Sequence, residues 1–87
     1  MSKEFQTAVE YVNKLSQTPN DNELLELYKY YKQATVGNIN IVQPSLLNMK
    51  GRTKWNAWNS VKGLEKKVAE REYVIIVNSL IKKYGIN

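Results

Sequence analysis

Tyr28, Tyr31 and Lys32 stand at i, i+3 and i+4, a spacing that brings two phenols and one ammonium to one side of a helix. Farther along, Lys50, Arg52 and Lys54 open a segment that holds no acidic residue before Gly63. Ammonium groups beside phenolic hydroxyls can hold a phosphate by charge-assisted hydrogen bonds, and tyrosine faces can stack on a planar base. That combination suits a nucleotide. The same tyrosine spacing also suits an ordinary core face, and basic residues on a short helix are ordinarily solvated, so spacing alone leaves both readings open.

The residue types that are missing narrow the chemistry further. The chain has no Cys and no His, which removes thiolate metal sites, cysteine nucleophiles, the Ser-His pair, the commonest general base and the main zinc ligand. The expectation is a binding protein with no catalytic residue and no metal, rather than an enzyme. Thirteen Lys and Arg against eight Asp and Glu give a net charge of +5, which favours anionic partners: nucleic acid, phosphorylated metabolites or acidic lipid surfaces.

The elements that must position these residues read as helices. At 87 residues, 43% hydrophobic and 24% charged, the chain is predicted to form one globular domain over 1–87. Phe5, Ala8, Val9, Val12 and Leu15 mark one face of a first helix. Thr18-Pro19-Asn20-Asp21 breaks it, and Asn20 or Asp21 can cap a second helix over about 21–36. Its stripe is Leu24, Leu27, Tyr28, Tyr31, Ala34 and Thr35, and Gly37-Asn38 closes it. Residues 36–49 lack any period and form a long loop, a crossover that lets the second and third helices run in the same direction. A third helix is predicted over about 50–62, burying Trp55, Trp58 and Val61, with Gly63 at its end. Val68, Ala69, Tyr73, Ile76, Val77, Leu80 and Tyr84 define a fourth helix to about 84, which lacks a capping side chain at Leu64-Glu65. Val74, Ile75 and Ile81 lie off its main stripe and are expected to broaden its core contact, the alternative being a dimer or membrane face. No repeat or strand pattern is visible. No window approaches the length of a membrane span, and the N-terminal residues carry no apolar leader, so the expected location is cytoplasmic.

Specific words in the sequence go beyond spacing. Lys32-Gln33-Ala34-Thr35-Val36-Gly37, followed by Lys54-Trp55-Asn56-Ala57-Trp58-Asn59-Ser60-Val61-Lys62-Gly63, resembles the acyl-CoA-binding protein family, also called diazepam-binding inhibitor or endozepine. The likeness extends over the chain through Phe5, Pro19, Leu25, Tyr28, Tyr31, Pro44, Tyr73, Val77, Leu80 and Lys82-Lys83-Tyr84-Gly85. It implies an all-α four-helix bundle of up-down-down-up topology that binds medium- and long-chain acyl-CoA esters without transforming them, an intracellular carrier and buffer in lipid metabolism.

By position, the resemblance implies that Tyr28, Lys32 and Lys54 hold the ribose 3′-phosphate, that Tyr31 with the neighbouring basic groups packs on the adenine, and that Tyr73 approaches from the fourth helix, with Lys50 also among the ligand-binding residues. The acyl chain would lie near Val9, Leu24, Leu25 and Thr53, roofed by the CoA head. Asn13 stands where family members often carry a lysine that assists the CoA phosphates, so here an amide would serve without charge. The crossover Asn38-Ile39-Asn40-Ile41-Val42-Gln43-Pro44 is apolar where relatives carry charge, and is expected to pack over the bundle, the alternative being an adhesive patch for a partner or membrane. The expected partners are long-chain acyl-CoA, enzymes that use it and, transiently, membrane surfaces, with the protein a monomer that does not bind nucleic acid. The rival reading is a small basic helical nucleic-acid-binding module built on Lys50, Arg52 and Lys54. Steep weakening by salt would separate the two.

Overall fold

Four helices follow one another in the computed structural model, which describes residues 1–87: α1 (Lys3–Val12), α2 (Asp21–Thr35), α3 (Met49–Asn59) and α4 (Lys66–Tyr84). Local chemistry sets most of their starts. The Ser2 hydroxyl accepts from the Phe5 amide at 3.1 Å. Asn20 and Glu23 form a reciprocal capping box at 2.8 and 2.9 Å, and Asn48 accepts from the Gly51 amide at 3.0 Å. α4 is the exception: Glu65 makes no side-chain cap, and Lys66 and Lys67 fill a first turn without an acid. An absent cap of this kind typically costs about 1 kcal/mol.

Contacts at the helix ends give the topology. The Ser2 amide donates to Glu70 at 2.9 Å, and Leu15 bridges Ile86, so α1 and α4 run in the same direction. Glu23 at the start of α2 meets Lys83 and Tyr84 at the end of α4, so those two are antiparallel. Leu24 and Tyr28 face Met49, Lys50 and Lys54, while Lys32 reaches Trp58, so α2 and α3 are parallel. The order is therefore up-down-down-up, an all-α bundle with the long crossover joining the parallel pair. α2 packs on α4 and α3, α1 packs on α4, and α3 rests on α2 alone.

The core is the meeting of α1, α2 and α4. Phe5, Ala8, Leu27, Ala34, Ala69, Tyr73, Val77 and Leu80 are buried together there. Phe5 makes an edge-on contact with Tyr73 at 5.0 Å and stacks against Tyr31 at 6.1 Å, tying three helices through aromatic rings. Buried Gln33 donates to the Asn38 side chain at 3.0 Å and the Leu64 carbonyl at 2.7 Å, and Asn38 also accepts from the Gly63 amide at 2.7 Å. This polar knot closes the far end of α2 onto the α3–α4 turn. Gly37 adopts φ +98°, a conformation side chains disfavour, and its carbonyl accepts from the Trp58 indole at 2.8 Å.

Several expectations are corrected. α1 ends at Val12, and Leu15 lies beyond it in an isolated antiparallel bridge to Ile86, because the chain there pairs backbone to backbone with the C-terminal segment: Ser16 with Gly85 at 2.9 Å and Asn87 with Lys14 at 2.9 Å. α3 stops at Asn59 rather than 62. The Ser60 hydroxyl donates to the Ala57 carbonyl at 2.6 Å, the following amides reach back only three residues, and Gly63 closes that turn. Only Trp58 of the expected α3 stripe is buried, with Trp55 and Val61 half-buried. Val74 and Ile81 pack on the core as expected, whereas Ile75 is exposed.

The crossover does not pack over the bundle. Ile39 is half-buried, but Ile41, Val42, Leu46 and Leu47 are exposed. Polar anchors from α3 fix the loop instead: the Trp55 indole donates to the Ile41 carbonyl at 2.8 Å, Arg52 to the Pro44 carbonyl at 3.0 Å, and Gln43 to Asn56 at 3.0 Å. The loop turns these polar groups toward α3 and its apolar side chains outward.

Candidate functional site

The parallel pairing of α2 and α3 sets two rows of side chains against each other. Each helix rises about 5.4 Å per turn, so positions four apart on α2 face positions four apart on α3. The Lys54 ammonium lies over the Tyr28 ring at 5.5 Å, and the Lys32 ammonium over the Trp58 ring at 4.8 Å, one turn farther on. A cation over an aromatic face is held by the ring quadrupole. Lys32, Lys50, Arg52 and Lys54 make no ion pair; the two in the protein are Lys29 with Glu26 and Lys83 with Glu23. The seam thus offers positive charge that no carboxylate neutralises.

Beside it runs an open groove of about 470 Å³ lined by Asp21, Leu24, Leu25, Tyr28, Met49, Lys50, Thr53 and Lys54. The size falls within the roughly 300–1,000 Å³ of small-molecule sites. The α2 wall brings Leu24, Leu25 and Tyr28 with Asp21 at its start, and the α3 wall brings the two lysines with Met49 and Thr53. Leu24 and Tyr28 also border a second, wholly apolar and aromatic hollow of about 240 Å³, completed by Val12, Leu27, Tyr31 and Tyr73. The two hollows share that wall, so Leu24 and Tyr28 stand between the α2–α3 groove and the aromatic hollow beside the core.

Tyrosine hydroxyls supply the polar points of this region. Tyr28, Tyr31 and Tyr73 make no side-chain hydrogen bond within the protein, in contrast to Tyr84, which donates to Glu23. Tyr73 is buried, and burial, with a smaller contribution from neighbouring Tyr31, pushes its phenol from 10.0 up to about 12. It therefore stays a neutral donor throughout the physiological range. At the start of α2, Glu23 is held down from 4.5 to about 2 by hydrogen bonds from Lys83, from Tyr84 and from the Asn20 backbone. This clasp fixes the turn that presents Leu24 and Leu25.

Of the residues singled out in the sequence, Tyr28, Leu24, Leu25, Lys50, Thr53 and Lys54 come together around the first groove, and Tyr31 and Tyr73 around the second. Lys32 sits on the same seam through Trp58. Val9 lies outside both linings, half-buried against the core. Asn13 is the C-cap of α1, exposed, its backbone amide directed at Glu10 and Tyr11. Val12, Leu27, Asp21 and Met49 line the hollows without having been marked as site residues. The periodic stripe identifies Val12 and Leu27 as inward-facing but does not tell which inward side chains border a cavity.

Comparison with known proteins bears on what this region serves. Residues 2–77 match the family model described as acyl CoA binding protein. The chain is 43% identical over 85 residues to the acyl-CoA-binding protein homolog of Drosophila melanogaster, covering 98% of this chain and 99% of that one. Among solved structures it resembles ACBP from Moniliophthora perniciosa, with a TM-score of 0.87, 44% identity, and coverage of 95% of this chain and 83% of that one. It also resembles the acyl coenzyme A binding protein from yeast, with a TM-score of 0.78, 46% identity, and coverage of 98% and 99%.

Proposed function

This chain belongs to the acyl-CoA-binding protein family, and we propose that it binds medium- and long-chain acyl-CoA esters as one domain spanning 1–87, carrying and buffering them without catalysing a reaction. The observation that carries this reading is the pair of unneutralised ammonium groups, Lys32 and Lys54, on a seam beside an apolar groove. A free fatty acid would not need the cation pair, and a bare nucleotide would not need the apolar lining of Leu24 and Leu25.

In this reading Tyr28, Lys32 and Lys54 hold the ribose 3′-phosphate. The lysines leave their aromatic faces for charge-assisted hydrogen bonds with the phosphate oxygens, and the phenol donates a further one. Tyr31 and Lys50 border the adenine, and Tyr73 brings a neutral hydroxyl from α4. The acyl chain follows Leu24, Leu25 and Thr53, with Val9 of α1 packed on the core behind them and Asn13 near the head group. Each buried methylene contributes roughly 0.8 kcal/mol, so a tail of about fourteen contributes on the order of 10 kcal/mol. The tail therefore supplies most of the affinity, and the phosphate grip distinguishes a CoA ester from other amphiphiles. The absence of His and Cys leaves no ordinary nucleophile-base pair to attack the thioester. The proposed setting is the cytoplasm, with a monomeric protein handing ligand to enzymes that use acyl-CoA. No helix is long and apolar enough to cross a membrane.

Titration calorimetry with a series of acyl-CoA esters tests the assignment. Affinity should rise with tail length until the groove is full, and free CoA and free palmitate should both bind far more weakly than palmitoyl-CoA. Chain-length-independent binding, or none, would refute it.

A further inference from the structure

We propose that the α2–α3 crossover and the start of α3 form a docking surface for an anionic lipid bilayer, placed beside the mouth of the α2–α3 groove. Two independent observations carry it. From Gln33 through Met49 the chain has no charged residue, and within that stretch Leu46, Val42 and Leu47 stand 74%, 90% and 96% exposed, accompanied by Ile41 and Met49. Surfaces of soluble proteins rarely gather large apolar side chains this densely without a partner. Because Ile41 and Pro44 already give their carbonyls to Trp55 and Arg52, the apolar side chains can enter an interfacial layer while those backbone groups keep their hydrogen bonds.

Charge identifies the partner. Between Glu26 and Glu65 the sequence contains no acid but six basic residues, while the rest of the chain is close to neutral. Lys29 pairs with Glu26, but Lys32, Lys50, Arg52, Lys54 and Lys62 form no ion pair. Apolar side chains followed directly along the chain by the unpaired Lys50, Arg52 and Lys54 match a surface that is negative outside and hydrocarbon beneath, since the cations gain from the lipid charge and the apolar groups from burial. A second copy of the chain would set the same cations against themselves. Met49 and Lys50 belong both to this surface and to the groove lining, so docking would bring the groove mouth to the membrane. That consequence for ligand loading rests on the acyl-CoA reading; the docking itself does not.

The experiment is co-sedimentation of the ligand-free protein with vesicles of phosphatidylcholine containing phosphatidylserine, and with vesicles of phosphatidylcholine alone. The protein should sediment with the anionic vesicles, less so as salt rises, and hardly with the neutral ones. Val42→Ser/Leu47→Ser, at two solvent-facing loop positions, should weaken vesicle binding roughly tenfold or more while leaving the palmitoyl-CoA isotherm unchanged. No binding to anionic vesicles, equal binding to both kinds, or an unaffected double variant would each overturn the proposal. So would sedimentation velocity showing that the loop instead drives self-association of the wild type. Vesicle binding by a protein that fails to take palmitoyl-CoA would remove the carrier reading and leave the docking surface standing.

Discussion

Phe5, Tyr73 and Val77, where α1, α2 and α4 meet, are almost wholly enclosed, whereas α3 buries only Trp58 and touches no helix but α2. The first region is held by apolar and aromatic packing, supplemented by the Glu23 clasp and the Gln33 knot. The second consists of α3 and the crossover, held on mainly by directional hydrogen bonds from Trp55, Trp58 and Arg52, with its cations unpaired and its leucines in solvent. In the proposed reading, stability rests mainly on the first region, and recognition on the α2–α3 seam, with Tyr73 belonging to both. Substitutions in the first should be felt in unfolding, and those in the second in binding.

The sharpest break would come from Phe5→Ala. It removes a ring that touches both Tyr31 and Tyr73, and an unrelieved cavity of this kind costs about 3–5 kcal/mol, readable as a lowered midpoint in urea unfolding. Lys54→Ala should do the reverse. Losing a hydrogen bond to a charged group costs about 1.5–3 kcal/mol, so affinity should fall roughly tenfold to a hundredfold for every acyl-CoA alike, with the urea midpoint hardly moved. A large loss of stability in that variant would erase the division. Glu65→Ser, at the joint between the regions, should raise stability by up to about 1 kcal/mol by supplying the missing cap of α4, measured in the same unfolding experiment.

The smallest effect is expected of Glu23→Gln, present in full at neutral pH and fading in acid. Glu23 has a folded value near 2 against an ordinary 4.5, so its ionised form stabilises the fold fully above 4.5, and that stabilisation is lost as pH falls from 4.5 toward 2. Thermal unfolding across that acid window should be steeper for the wild type than for the variant. Equal slopes would mean that the Lys83 and Tyr84 contacts do not persist in solution.

The sequence makes the first region far more legible than the second. Asn20 or Asp21 at its start and Gly37 after its end mark α2 to within a residue, and the stripe of α4 from Ala69 to Leu80 is read correctly because one periodic face meets one core. The end of α3 escapes such reading, since Ser60 turns its hydroxyl onto a carbonyl that would otherwise continue the ladder. Leu15 keeps helical spacing but pairs with Ile86, a partner at the other end of the chain. The outward turn of Val42 and Leu47 depends on anchors from Trp55 and Arg52, contacts no local pattern encodes. For the site, the motif resemblance draws attention to Tyr28, Lys32 and Lys54. The sharing of Leu24 and Tyr28 between two hollows emerges only when the helices are assembled.

The two indoles have a practical consequence. Trp58 is buried, bonded to Gly37, and has the Lys32 ammonium poised over its ring, while Trp55 is tied to the crossover at Ile41. They are the only tryptophans in the chain. The protein therefore carries two natural fluorophores at different stations, one reporting when a cation departs and the other when the loop is disturbed. Variants retaining a single indole would let head-group capture and bilayer contact be timed separately, with no dye attached.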